Sequence, residues 1–152
     1  MDNKYNNSFD VIVIGSGNGG MTAAITAYDQ GLKVLLIEKS NLYGGTSATS
    51  GGGVWIPNNR YAKEVKADDS IEDARNYIQH VSPKGKIKQD LIETYLNKGP
   101  EMINFLHENS RVKYESLEHY PDYFPDDPGG KAGHRSMEPV PIYGNLLGSE
   151  FN

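Results

Sequence analysis

Hydrophobic and polar positions follow two regimes along this chain. Asp10–Ile14 (DVIVI) is a continuous apolar run that ends at a glycine. Runs of that kind predict a strand buried on both faces, as in a parallel sheet. Gly17–Gln30 then carries Ala, Met, Ile and Tyr at helical spacing, and Gly31 supplies a stop just beyond it. Lys33–Glu38 (KVLLIE) reads as a second buried strand. Strand, helix and strand in so short a stretch make a compact βαβ unit, whose crossover is expected to be right-handed.

Beyond Glu38 the pattern loosens. Residues 39–60 are rich in Gly, Ser and Thr and end in Val54-Trp55-Ile56-Pro57, a short apolar piece stopped by proline. Ser70 predicts an N-cap, with Asp73 three residues on, ahead of a helix carrying Ala74, Tyr77, Ile78 and Val81. Ile87–Asn97 predicts another amphipathic helix. Gly99-Pro100 then predicts a break before a third, Glu101–Glu108, where Pro100 suits the first turn. Val112–Leu117 has the character of a weak strand, and the Pro-, Gly- and Asp-rich chain from Tyr120 onward predicts irregular structure. The pattern as a whole predicts an α/β fold: a Rossmann-like βαβ unit in residues 1–60, then helical and irregular segments in 61–152. A doubly wound sheet needs about five strands, and two firm ones are legible. The parallel sheet is therefore incomplete, and the chain is expected to be a fragment of a larger two-domain protein.

Composition narrows the class. The net charge of −5 argues against a nucleic-acid surface. The 17 glycines cluster in 15–20, 44–53 and 129–133, which suggests backbone that must approach a ligand closely. There is no cysteine, hence no disulfide framework and no thiolate chemistry. The polar N-terminus and the shortness of Val11–Ile14 give neither a signal peptide nor a membrane span, so a cytoplasmic protein is expected. The four histidines show no metal-ligand spacing. Arg135 reads as a solvated loop arginine. Asp68-Asp69 and Glu72-Asp73 read as acids favouring a helix N-terminus, and Asp126-Asp127 as part of a turn.

The chemistry is concentrated in Gly15-Ser16-Gly17-Asn18-Gly19-Gly20. This G-x-G-x-x-G pattern follows a strand, opens a helix and precedes an acid, Glu38, at the end of the next strand. Gly15 allows the tight turn, Gly17 leaves room for a pyrophosphate, and Gly20 lets helix and sheet pack closely. The helix N-terminus offers N–H groups and partial positive charge to phosphates. Glu38 can accept hydrogen bonds from ribose hydroxyls and would repel a 2′-phosphate. The pattern alone does not separate FAD from NAD. The loop Tyr43–Gly53 favours the bulkier cofactor, because its small residues expose backbone N–H groups and its hydroxyls can donate to anions or to a flavin edge.

The stretches DVIVIGSGNGG, EKSNLYGGTSATSGGGVWIPNN, PDYFPDDPGG and GHRSMEP together resemble the N-terminal part of the 3-ketosteroid dehydrogenases, in the fumarate reductase and succinate dehydrogenase flavoprotein superfamily. The resemblance covers nearly the whole chain, and SGGGVWIPNN is its most particular part. It implies that Gly15, Gly17, Gly20 and Glu38, with Gly19 and Lys39 beside them, bind the ADP part of FAD. It implies that Gly45, Thr46, Ser47, Ser50, Gly51, Gly52 and Gly53 lie along the pyrophosphate and flavin. Tyr123 matches a tyrosine that helps form the steroid pocket and supports the catalytic base. The loop after Glu38 has no histidine, so FAD is expected to be bound non-covalently. A steroid substrate and an electron acceptor are the implied partners, with the oligomeric state open. In that family the base and the groups that polarise the ketone lie C-terminally, so the isolated chain is expected to be inactive. Two alternatives stay open: a fumarate-reductase-like flavoprotein acting on another enone or a dicarboxylate, and a non-catalytic nucleotide-binding fragment.

Overall fold

The computed structural model describes residues 8–83 and 86–151. The polar N-terminal stretch 1–7 and Asn152 lie outside the described residues. The chain divides into two compact units, with the division between Gly52 and Gly53.

In the first unit β1 (Val11–Ile14) and β2 (Val34–Ile37) pair in parallel, Val11 opposite Val34 and Ile14 opposite Ile37. The helix α1 (Asn18–Asp29) connects them and packs on both. It ends where the chain composition says it should. Gly31 is left-handed (φ 78°), and the N–H groups of Gly31 and Leu32 reach back to the carbonyls of Tyr28 and Ala27. That is a Schellman closure, which satisfies the last carbonyls of a helix. The strands are not buried on both faces as their composition predicts: Val13 is buried, but Ile12 is 58% and Ile14 85% exposed. Among the described residues of this unit one helix lies against two strands, which leaves Ile12, Ile14 and Ile37 exposed. A loop with a short 3-10 turn, Gly45–Thr49, completes the unit.

The second unit holds α2 (Arg60–Glu64), α3 (Ile71–Val81) and α4 (Gln89–Asn109) with a three-stranded antiparallel sheet. The sheet order is β3 (Val54–Trp55), β5 (Ser136–Pro139), β4 (Tyr114–Ser116). Its central strand, β5, lies in the stretch whose composition predicts irregular structure. Glu and Pro are poor strand formers, and the pairing of Met137 with both Val54 and Ser116 overrides that weak local preference. Helix α2 is likewise absent from the periodicity. It starts because Asn59, fully buried, accepts from the Ala62 N–H and donates to the carbonyls of Ile56 and His134. The Ser70 cap is present, accepting from the Asp73 N–H at 3.0 Å.

Helix α4 runs unbroken through Pro100, where the sequence predicts two helices. An interior proline removes one helical hydrogen bond and is unfavourable by about 3 kcal/mol. The opposing effect is a single buried stripe, Ile92, Leu96, Gly99, Ile103 and Leu106, which extends on both sides of the proline. Gly99 presses so closely on Ile56 that an added Cβ would lie 3.2 Å from its Cδ1 and Cγ2. Ile56, Tyr61, Ile103 and Met137 form one core cluster, and Ala74, Ile92 and Leu96 another. No helix among the described residues is long and apolar enough to cross a membrane.

Candidate functional site

In the first unit the fingerprint glycines meet at the start of α1. Gly15 has φ +98°, and a Cβ on Gly20 would lie 1.9 Å from the Gly15 carbonyl oxygen. Both are therefore required by the protein's own backbone. Gly17 differs, since a Cβ there would meet only the Gly44 carbonyl oxygen at 3.9 Å. The open space in front of Gly17 is a cradle that a side chain would fill. No side chain caps α1 at Gly17, and its first turn carries no acid. The N–H groups of Gly19 and Gly20 belong to that first turn and have no acceptor within the helix. A helix start with no acid in its first turn and with the Gly19 and Gly20 N–H groups free of helical acceptors suits a diphosphate.

The second strand and the Gly-rich loop close on this cradle through Ser16, which is fully buried. Its hydroxyl donates to Glu38 Oε2 at 2.6 Å and accepts from the Gly44 N–H at 2.9 Å. The Ser16 N–H also donates to Glu38 Oε2, and the Ser40 N–H to Oε1. Ser47 Oγ accepts from the Asn18 N–H, and Gly45 packs on Gly17, where an added Cβ would lie 3.3 Å from the Gly17 Cα. The structure thus brings Gly15, Gly17, Gly20, Glu38, Gly45 and Ser47 together. The hydroxyl of Ser50 turns inward to the Ser47 carbonyl, and the Thr46 carbonyl accepts from Thr49. Lys39 and Gly51 are exposed, the Gly52 N–H donates to Ser50 Oγ, and Gly19 stands open. Sequence reading passed over Ser16, although a hydroxyl between two fingerprint glycines is a usable signal.

Donation from the Ser16 hydroxyl, then from backbone N–H groups, lowers the Glu38 carboxyl from 4.5 to about 2. A carboxyl whose folded value is depressed contributes stability that is complete above its unfolded value and is lost as pH falls through the folded one. The Ser16–Glu38 closure is therefore expected to hold near pH 5 and to fail between about pH 4.5 and about pH 2. Acid titration of Glu38→Gln beside the parent checks this. The parent should lose stability in that window relative to the variant, and parallel titrations would show that the closure carries no such linkage.

The second unit contains a cavity of about 500 Å³, bounded by Trp55, Tyr77, Tyr120, Tyr123, Phe124 and Met137 among others. Small-molecule sites are commonly about 300–1,000 Å³ and mostly apolar. Tyr123 stands on its wall and is 93% exposed, and Gly53 also lines it. The Trp55 ring stacks on Tyr95 (6.3 Å, 13°), and its Nε1–H donates to Asp122 Oδ1 at 2.7 Å.

Behind this wall lies Arg135, fully buried rather than solvated. Its guanidinium reaches Asp122 Oδ2 at 2.7 Å and Asp69 Oδ1 at 2.8 and 2.9 Å. It also lies over the rings of Trp55 and Tyr77 at 5.7 and 5.8 Å. Two carboxylates and two aromatic faces replace the water that the guanidinium gives up. Asp69 serves this cluster and the Asn58 N–H instead of a helix N-terminus, and Asp68 pairs with Lys131. Glu72 and Asp73 do occupy the first turn of α3.

Comparison with known proteins agrees with this geometry. A family model described as FAD binding domain matches residues 10–151. The chain is 45% identical to the 3-oxosteroid 1-dehydrogenase of Mycolicibacterium smegmatis over 94% of its own length and 25% of that protein's. It is 40% identical to the 4-oxocyclohexanecarboxylate 2-dehydrogenase of Sinomonas cyclohexanicum, over 87% of this chain and 23% of that one. The crystal structure of 3-ketosteroid delta1-dehydrogenase from Sterolibacterium denitrificans, in complex with 1,4-androstadiene-3,17-dione, matches with a TM-score of 0.86 and 45% identity, covering 95% of this chain and 25% of that one. The chain thus spans about a quarter of the length of these relatives. The match runs over nearly the whole chain, and the chain belongs to the FAD binding domain family.

Proposed function

We propose that this chain is the FAD-holding part of an oxidoreductase that desaturates a 3-oxo steroid ring beside its ketone. The observation that carries this is the 45% identity to a 3-oxosteroid 1-dehydrogenase over 94% of this chain. Bound FAD supplies a two-electron acceptor. The N–H groups at Gly17, Gly19 and Gly20 would hold its diphosphate, Glu38 and Lys39 would flank the adenosine ribose, and Gly45, Thr46, Ser47, Ser50, Gly51, Gly52 and Gly53 would supply close backbone, with hydroxyls from Thr46 and Ser47. The loop 39–53 contains no histidine, in keeping with a non-covalent cofactor. The apolar cavity takes the ring system, with Tyr123 steadying the ketone-bearing ring and supporting removal of a proton from the carbon next to the carbonyl. Loss of that proton and of a hydride from the neighbouring carbon leaves the double bond, and a separate electron acceptor completes the cycle.

The dicarboxylate alternative is weakened by the arginines. Of the four arginines, Arg135, Arg75 and Arg60 are already paired with Asp69 and Asp122, with Glu93 and Glu72, and with Glu64, which leaves the exposed Arg111, where a dicarboxylate calls for several facing it. A smaller ring ketone bearing one carboxylate is the reading favoured by the Sinomonas relative. Anaerobic absorbance of the complete polypeptide its gene encodes separates the cases. A saturated 3-ketosteroid should bleach the oxidised flavin band, and Tyr123→Phe should slow that bleaching by about 100-fold, a typical contribution of acid–base support, with flavin content unchanged. Bleaching by 4-oxocyclohexanecarboxylate alone would replace the steroid reading, and bleaching by neither would end both.

A further inference from the structure

We infer that Asp122 is a positioning residue for Tyr123, and that the Asp122–Arg135–Asp69 cluster fixes the wall of the cavity. This rests on the reading of that cavity as the ketone site. Tyr123 is nearly fully exposed, so packing does not fix its place. Its neighbour Asp122 is 5% exposed and accepts from three directions. Arg135 Nη1 and the Lys131 N–H meet Oδ2 at 2.7 and 3.0 Å, and Trp55 Nε1 meets Oδ1 at 2.7 Å. The Asp122 N–H in turn donates to the Lys131 carbonyl at 2.9 Å. On the other side of Tyr123, the Phe124 N–H donates to the Tyr77 hydroxyl at 3.2 Å. Tyr123 is therefore suspended between two pinned neighbours.

The same carboxylate joins separate parts of the wall. It binds Trp55 on β3 directly, and Arg135, which it pairs with, lies over both Trp55 and Tyr77. Asp69 completes the cluster from the turn before α3 and holds Arg135 by two bonds. Residues far apart in the chain are thereby locked to Tyr123, the more exposed of the two exposed tyrosines, Tyr120 and Tyr123, on the cavity wall. Asp122 lines the cavity as well, but its carboxylate oxygens are turned to these donors. Its action on substrate runs through Tyr123.

A double-mutant cycle in the flavin-loaded complete polypeptide tests this. Asp122→Asn should raise the Kd for a saturated 3-ketosteroid about tenfold, within the range of coupled neighbours, at unchanged flavin content. In a Tyr123→Phe background the same change should have less than about a twofold effect. Amide hydrogen exchange should also speed up at Phe124 and Lys131. Trp55→Phe, which removes one bond to Asp122 but keeps the ion pair, should give a smaller shift of the same kind, and it serves where Asp122→Asn does not fold. Equal effects of Asp122→Asn with and without the Tyr123 hydroxyl would overturn the inference, as would unchanged exchange at Phe124 and Lys131. If the parent binds no steroid ketone, the substrate reading falls, and the exchange at Phe124 and Lys131 decides the positioning role by itself.

Discussion

Arg135→Met is expected to destabilise the second unit by about 3–5 kcal/mol, the range seen when one partner of a buried ion pair is removed. The methionine replaces the stem and leaves the carboxylates of Asp69 and Asp122 without a cation, their side chains 3% and 1% exposed. Hydrogen bonds from Asn58, Trp55 and Lys131 remain, but they come from neutral donors. Two neighbouring buried negative charges then meet no opposite charge, and the turn before α3 separates from the wall that carries Asp122. For a chain of this size the loss corresponds to a fall in Tm of roughly 10 °C. Arg135→Lys should recover only part of it, because one ammonium cannot reproduce a planar fork that reaches two carboxylates. Urea unfolding of the three proteins checks this, and a loss under about 1 kcal/mol, the level of an exposed pair, would show the cluster to be only weakly coupled to folding.

Gly20→Ala is expected to abolish retention of FAD. The new Cβ would sit 1.9 Å from the Gly15 carbonyl oxygen and 2.9 Å from its carbon, both main-chain atoms. No rotamer change relieves that contact, so the first turn of α1 must move away from the turn that precedes it. The moved atoms are the helix-start donors proposed to hold the diphosphate, and a displacement there should weaken binding by about 100-fold or more, as expected for losing charge-assisted hydrogen bonds. Gly19→Ala is the control, because nothing lies within 4 Å of the added methyl. It should leave the apo-protein unchanged or firmer by about 0.5–1 kcal/mol, the helix-interior difference between the two residues. Flavin titration and melting of the apo-proteins separate the two effects. Equal FAD affinity in Gly20→Ala and parent would remove the glycine turn from the cofactor site.

The contrast between these sites explains what the sequence revealed. The glycine turn was legible because its requirements are local: Gly15, Gly17 and Gly20 lie within six positions, and the acid that completes them follows at the end of the next strand. The Gly31 stop and the Ser70 cap were legible for the same reason. Arg135 was not. Its partner Asp69 is 66 residues away and Asp122 lies 13 residues before it, and nothing in the GHRSMEP stretch distinguishes an arginine in water from one under two aromatic rings. The strand Ser136–Pro139 was hidden for a related reason, since its membership of a sheet comes from partners at 54–55 and 114–116 rather than from its own residues. Pro100 misled in the opposite direction. A local signal for a break was real, and the buried stripe from Ile92 to Leu106 outweighed it. The apolar strands β1 and β2 were placed correctly, but their composition overstated their burial here, because among the described residues of the unit α1 is the one helix that packs on them.

Trp55 is the chain's single tryptophan, and its indole N–H ends on Asp122 while its ring faces Tyr77, Tyr95 and Arg135. Indole emission responds to the polarity around the ring and to the bond at its nitrogen. Its emission is therefore a built-in optical gauge of one place, the back of the cavity, and it reads the loosening of the Asp122 bond without any added label.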